Sequence, residues 1–167
     1  MKNLFVIVLI SCLLFACKSE KRIEKIKGKN YCYSYQENDT ICLDVKINPD
    51  TSLVNELIAQ KCKKFLLVIT GWEMSVYSLM DKDNLNDYDL ITVLKKYSLI
   101  ILYVDDRGKR SSGDSTTIGQ QNAAFQANHF NATSQPQYII FLNGTRKCTT
   151  GYLPPKEGVL SFLNGCK

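Results

Sequence analysis

The chain has little of the equipment that most catalytic sites need. Its only histidine is His129, so a histidine-based metal cluster or a serine–histidine pair has no support beyond one residue. None of its seven cysteines stands in a Cys-x-x-Cys pair. There is no internal repeat and no low-complexity segment. Lysines and arginines outnumber acids 21 to 16, for a formal net charge of +5, yet they do not form a stripe with aromatics between them, which argues against nucleic acid. What is present, 45% hydrophobic and 22% charged over 167 residues, describes one globular domain long enough to bury a core without staples.

The amino terminus reads as a processing signal. Lys2 supplies a positive start, and Leu4 to Leu14 is an apolar run interrupted only by Ser11 and Cys12, too short to span a bilayer as a mature helix. Leu14-Phe15-Ala16-Cys17 then resembles a bacterial lipobox, in which cleavage before the cysteine frees a thiol for diacylation. This divides the chain into a signal peptide over 1–16 and a lipidated Cys17 with a charged tether over 17–29. A β-hairpin extension follows over 30–48, then the main domain over 49–167. The expected location is the bacterial cell envelope, lipid-anchored and facing the periplasm or the cell surface, with the outer membrane favoured over the inner. The membrane itself is then one partner, through the lipid on Cys17.

An oxidising compartment changes the reading of the other cysteines. With Cys12 removed and Cys17 acylated, Cys32, Cys42, Cys62, Cys148 and Cys166 remain, an odd number that leaves at least one without an intrachain partner. Tyr31–Tyr35 and Ile41–Val45 are rich in β-formers, and Gln36–Asp39 between them is turn material. With a three-residue loop over 36–38, Tyr35 faces Asp39 and Cys32 falls directly opposite Cys42, the short separation a cross-strand disulfide needs.

From there the pattern alternates. Asp50-Thr51-Ser52 caps a helix carrying Leu53, Val54, Leu57 and Ile58. Phe65–Thr70 is an unbroken apolar run of strand length, suited to burial on both faces. Gly71-Trp72 makes a turn before a short helix from about Met74 to Met80. A helix through Leu90, Ile91, Val93, Leu94 and Tyr97, a strand over Leu99–Val104 and a helix over Gly119–Phe130 follow. Pro136 precedes a strand over Tyr138–Leu142. Asn143-Gly144 is the strongest short hairpin signal, with Thr145–Thr150 as the antiparallel return. Pro154-Pro155 precede a last helix ended by Gly165.

This order resembles the thioredoxin fold, and more narrowly the C-terminal thioredoxin-like domain of the thiol:disulfide interchange protein DsbD and its lipoprotein relatives. The matching pieces are Thr70-Gly71-Trp72, Leu102-Tyr103-Val104-Asp105-Asp106, Thr117-Ile118-Gly119, the stretch Asn131–Tyr138, and Gly151-Tyr152. They cover roughly Asp50 to Cys166. The implied fold is α/β, a thioredoxin-like mixed sheet flanked by helices on both faces and preceded by the β-hairpin. In that family a Cys-x-x-Cys pair follows the tryptophan, whereas here Met74 and Tyr77, or in the other register Glu73 and Val76, hold the two positions. Dithiol chemistry needs a low-pKa thiolate at a helix N-terminus and a second thiol a turn away. A thioether and a phenol supply neither. The resemblance also makes Pro136 the family's cis-proline, so that Gln135 and Pro136 border a groove for an extended polypeptide. Finally, it turns the last helix back toward the far end of the sheet, where Cys166 can meet Cys62 or Cys148.

Cys62 lies between Lys61 and Lys63, which favours a thiolate, but it enters the strand at the end opposite the turn. About ten residues of extended chain put it on the order of 20 Å or more from Trp72. Asp105 and Asp106 are strand-end neighbours that point apart rather than forming an acid/base pair. Trp72 and Tyr77 make either an exposed aromatic platform or core packing. The expectation is a lipid-anchored thioredoxin-like module that has lost dithiol catalysis, needs no cofactor or metal, and binds an extended polypeptide or an envelope protein. The alternative is a thiol:disulfide oxidoreductase using a relocated cysteine.

Overall fold

The computed structural model describes residues 23–25, 31–35, 39–60, 64–71, 87–154 and 156–166. Trp72, Met74, Tyr77 and Cys62 lie outside the described residues, as do the expected signal peptide, Cys17 and the helix over Met74–Met80.

Two sheets are present. The smaller is antiparallel, in the order β1 (Ile23–Lys25), β2 (Cys32–Tyr35), β3 (Asp39–Cys42). The larger has five strands: β4 (Asp44–Ile47), β5 (Lys64–Thr70), β6 (Ser98–Tyr103), β7 (Gln137–Leu142) and β8 (Thr145–Thr150), in the spatial order β4-β6-β5-β7-β8. β4, β6 and β5 run parallel, while β7 and β8 are antiparallel to their neighbours. This is a thioredoxin-like mixed α/β fold with helices on both faces.

The apolar run over 65–70 becomes the central strand because no other position uses it fully. β5 pairs with β6 on one edge and β7 on the other, and Phe65 to Ile69 are completely buried. The alternation of side chains across a strand splits its residues between two cores. Phe65, Leu67 and Ile69 meet α1 (Thr51–Ala59) and α3 (Ile118–Phe130) through Val54, Leu57 and Phe125. Leu66 and Val68 meet α2 (Tyr88–Leu94) and α4 (Glu157–Gly165) through Leu90, Ile91, Leu94, Val159 and Leu163.

Local chemistry ends these elements where the sequence places its signals. The Asp50 carboxylate accepts from the Ser52 amide at the head of α1, and Asp87 accepts from Leu90 at the head of α2. Thr117 and Gln120 form a reciprocal capping box on α3. Asn143 and Gly144 both take positive φ, +53° and +75°, as a two-residue hairpin requires.

The hairpin register is the expected one: Tyr35 opposes Asp39, and Cys32 opposes Cys42 and is bonded to it. The second bridge joins Cys148 to Cys166, so Cys166 is not the partner of Cys62. The reason is facial. Cys148 opposes Ile140 and packs on the same face of the sheet as α4, which ends at Cys166.

Two boundaries differ from the sequence reading. Ile41–Val45 is not one strand: β3 stops at Cys42, and after Leu43 the chain enters the larger sheet as its edge strand β4. Leu43 is the pivot, buried, with its amide still donating to the Tyr31 carbonyl. The segment read as tether contains β1, which extends the hairpin to three strands. Apolar alternation in Ile23-Glu24-Lys25-Ile26 is too short to stand out among the charges around it.

The small sheet is seated on the larger one. Tyr33, Ile41 and Leu43 belong to the same apolar cluster as Leu66, Leu99 and the two helices of that face. Burial pushes the Tyr33 phenol up to about 12, with the nearby Tyr31 adding to the effect. A raised folded-state pKa means this contribution to stability is complete below the ordinary value of 10.0 and is lost as pH rises through about 12. Tyr33→Phe should therefore lessen the fall in unfolding midpoint over that alkaline window, read by denaturant titration at stepped pH. At the centre, Phe65→Ala should cost about 3–5 kcal/mol in the same assay.

Candidate functional site

The parallel strands β5 and β6 end together, Thr70 level with Tyr103. Because β7 runs the other way, it begins at that end, with Gln137 opposite Ile69. The sheet thus brings Gln135 and Pro136 to the place where Thr70 and Gly71 leave β5. The peptide bond between Gln135 and Pro136 is cis, and Pro136 is buried. A Cβ on Gly151, just past β8, would lie 3.7 Å from the Pro136 carbonyl oxygen, so the outer strand flanks this corner too. Of the residues singled out from the sequence, Gln135 and Pro136 are at this end, and residues 72–77, which lie outside the described residues, follow Gly71 in the chain.

Three glutamines set the Pro136 loop. Gln126, on α3 and completely buried, donates through Nε2 to the Ser134 carbonyl at 2.9 Å and to Gln137 Oε1 at 3.0 Å. Its Oε1 accepts from Gln135 Nε2 at 2.9 Å. One amide thus serves the residues on both sides of Pro136. A primary amide is suited to this, since it offers two donors and an acceptor without a charge to bury. Among the described residues, no backbone hydrogen bond uses the N–H or C=O of Gln135.

A second polar cluster ties the neighbouring strand ends. Asn48, with φ of +44°, accepts through Oδ1 from the Tyr103 amide at 2.7 Å and from Asn122 Nδ2 at 3.0 Å. Its Nδ2 donates to Asp106 Oδ2 at 2.5 Å. Asn122 Nδ2 also donates to the Tyr103 carbonyl at 2.9 Å. Arg110 closes the cluster from outside, donating to the carbonyls of Asn48 and Pro49 and to Gln121. Asp106 therefore anchors a loop, accepting also from the Gly108 amide, and Asp105 is exposed. The two do not form an acid/base pair. Gly119 lets α3 press onto this strand end: a Cβ there would stand 2.5 Å from the Val104 oxygen and 2.6 Å from the Asp106 nitrogen.

Thr70 is completely buried, and its hydroxyl has no hydrogen bond among the described residues. Burial raises the Tyr103 phenol, with Tyr31 and Asp105 adding to it. His129 is exposed on the last turn of α3, with its ring stacked on Phe125 at 4.2 Å and Nδ1 near the Phe125 carbonyl. Among the described residues no group of three His, Cys, Asp or Glu side chains is placed to hold a metal ion.

The described cysteines stand apart from this end. Cys148 is level with Ile140 and Leu66, four residues along β5 from Thr70 or roughly 13 Å at strand rise. Cys42 precedes β4, whose first residue pairs with Ser98 at the opposite end of β6. The residues that sequence reasoning missed are Asn48, Asn122 and Gln126, all amides with no motif to mark them. The one available signal was polar residues at the helix positions of α3 that face the sheet.

Gln126→Leu keeps the volume but deprives the Ser134 carbonyl and the Gln135 and Gln137 side chains of their partner. It should cost about 1–3 kcal/mol, and amide hydrogen exchange over 131–137 should accelerate while that of β5 is unchanged. Gly119→Ala should destabilise too, because both clashing atoms are backbone.

No protein-family model matches the chain, and no curated protein matches it in sequence.

Proposed function

We propose that this protein is a lipid-anchored, envelope-facing thioredoxin-like module that has lost dithiol redox catalysis and binds an extended polypeptide or an envelope protein at the Thr70–Pro136 end of its sheet. The observation that carries the reading is a thioredoxin-like sheet whose site end is followed in sequence by Gly71-Trp72-Glu73-Met74-Ser75-Val76-Tyr77, a stretch without a cysteine. Thiol exchange needs a thiolate that attacks and a second thiol that resolves. The described cysteines are consumed pairwise in two bridges, in the hairpin and between β8 and α4.

Binding needs less than catalysis does. An extended chain adds to a protein by pairing with an unused backbone edge. The Gln135 backbone, in a loop that Gln126 holds through the Ser134 carbonyl and the Gln135 side chain, has no backbone partner among the described residues and offers such an edge beside Pro136. The resemblance to the C-terminal domain of thiol:disulfide interchange protein DsbD supports the same placement. Anchoring at Cys17 follows from the lipobox sequence.

Two measurements test this reading. The purified mature chain should give no insulin reduction above the uncatalysed rate with dithiothreitol; catalysed turnover, lost on Cys62→Ser, would establish the relocated-thiol enzyme instead. A permanently unfolded, carboxymethylated polypeptide should bind the chain. Met74→Cys with Tyr77→Cys should crosslink to a cysteine placed in that polypeptide, while a cysteine at exposed Ser112 should not.

A further inference from the structure

The two disulfides of this chain sit in different surroundings. Side chains along β2 and β3 alternate between two faces. Tyr33 and Ile41, opposite each other and each 4% exposed, belong to the apolar cluster shared with the larger sheet. Cys32 and Cys42 are the next opposed pair, so they lie on the other face, together with the opposed pair Ser34 and Thr40. Among the described residues neither cysteine belongs to an apolar cluster. The bridge between Cys148 and Cys166 differs, because Cys166 is part of the core and Cys148 packs against it.

The hairpin bridge is also lopsided. Cys32 is 8% exposed, whereas Cys42 is exposed and stands one residue before the pivot Leu43. Thiol–disulfide exchange is a displacement at sulfur, and an entering thiolate needs access to only one of the two sulfurs. Approach from solvent reaches Cys42 and expels Cys32. Breaking the bridge removes none of the contacts that seat the small sheet. Tyr33, Ile41 and Leu43 remain in the core, and the Leu43 amide donates to the Tyr31 carbonyl at 3.0 Å. Those contacts hold the two thiols opposite each other, ready to reclose.

We propose that Cys32–Cys42 is a reversible thiol-exchange site, at which a dithiol protein delivers two electrons to the bridge by attack on Cys42. The entering thiolate bonds to Cys42 Sγ as the bond between Cys42 and Cys32 breaks, and Cys32 leaves as a thiolate that takes up a proton. The second thiol of the dithiol protein gives up its proton and attacks its own sulfur in the mixed disulfide. This releases Cys42 as a thiolate, which is protonated in turn. The dithiol protein ends oxidised to a disulfide, and the hairpin pair ends reduced to two thiols. In this exchange the hairpin is a substrate, and the exchange stands apart from polypeptide binding beside Pro136.

The test uses the mature chain from residue 17 onward, with its free thiols first blocked by iodoacetamide. The probe is a small Cys-x-x-Cys protein whose second cysteine is replaced by serine, which halts exchange at the mixed disulfide. Peptide mapping should place the adduct on Cys42, with Cys32 as the newly freed thiol, and it should form at least about tenfold faster than any adduct on Cys148 or Cys166. Cys42→Ser should remove the adduct, whereas Cys148→Ala with Cys166→Ala should retain it. When the two-cysteine form of the probe has reduced the hairpin pair, amide protection of β5 should persist, and the bridge should re-form in oxidised glutathione. An adduct on Cys32, equally fast attack on the other bridge, no adduct at all, loss of β5 protection, or a hairpin pair that fails to reclose would each overturn the proposal.

Discussion

Burial of β5 on both faces, with a hydrogen-bonded neighbour on each edge, is the constraint on which the rest depends. A strand with no solvent contact has no tolerance for a polar residue or a slipped register, because a slip of one residue would exchange its two cores. Phe65–Ile69 meets that condition with five consecutive fully buried residues. The four described helices divide between its faces, and the two strands that pair with it fix the end at which chain and solvent meet. That end is where the polar chemistry of the interior is concentrated.

Among the described residues the interior is mostly apolar, and apart from the Thr70 hydroxyl and the tyrosine phenols its buried polar side chains are amides. Asn48 and Asn122 hold the ends of β4 and β6 to α3, and Gln126 holds the loop before β7 to the same helix. One face of α3 thus carries the two polar anchors of the site as well as Phe125 of the core. Charged groups would serve worse, since a buried charge demands a counter-charge and a buried amide demands only hydrogen bonds. A helix that anchors both sides of a site makes their spacing a property of one rigid element.

The large features were legible because each rests on a strong local signal. A six-residue apolar run leaves no choice but a buried strand, Asn143-Gly144 leaves little choice of turn, and nine residues between Cys32 and Cys42 around a polar loop place the two opposite each other. The misread features rest on tertiary choices that local sequence does not carry. Nothing in Ile41–Val45 says that the chain changes sheets at Leu43, since both halves alternate as strands do. Whether Cys166 meets Cys62 or Cys148 depends on which face of the sheet α4 covers. The amide clusters were hard to see because Asn48 lies in a connection and Asn122 and Gln126 in a helix read as solvent-facing until that helix is docked.

The placement of the two disulfides has a mechanical consequence. One closes a loop within the hairpin and the other ties the last helix to an edge strand, with sequence separations of 10 and 18 residues. Neither spans any of the chain between Cys42 and Cys148, which holds β4 to β7 and three of the four described helices. Among the described residues the covalent stiffening is thus confined to the rims of the molecule. Its centre, including the strand end beside Pro136, is held by contacts that can open and close again without breaking a bond. A shift toward reducing conditions would soften the periphery first and leave the cohesion of the middle unchanged.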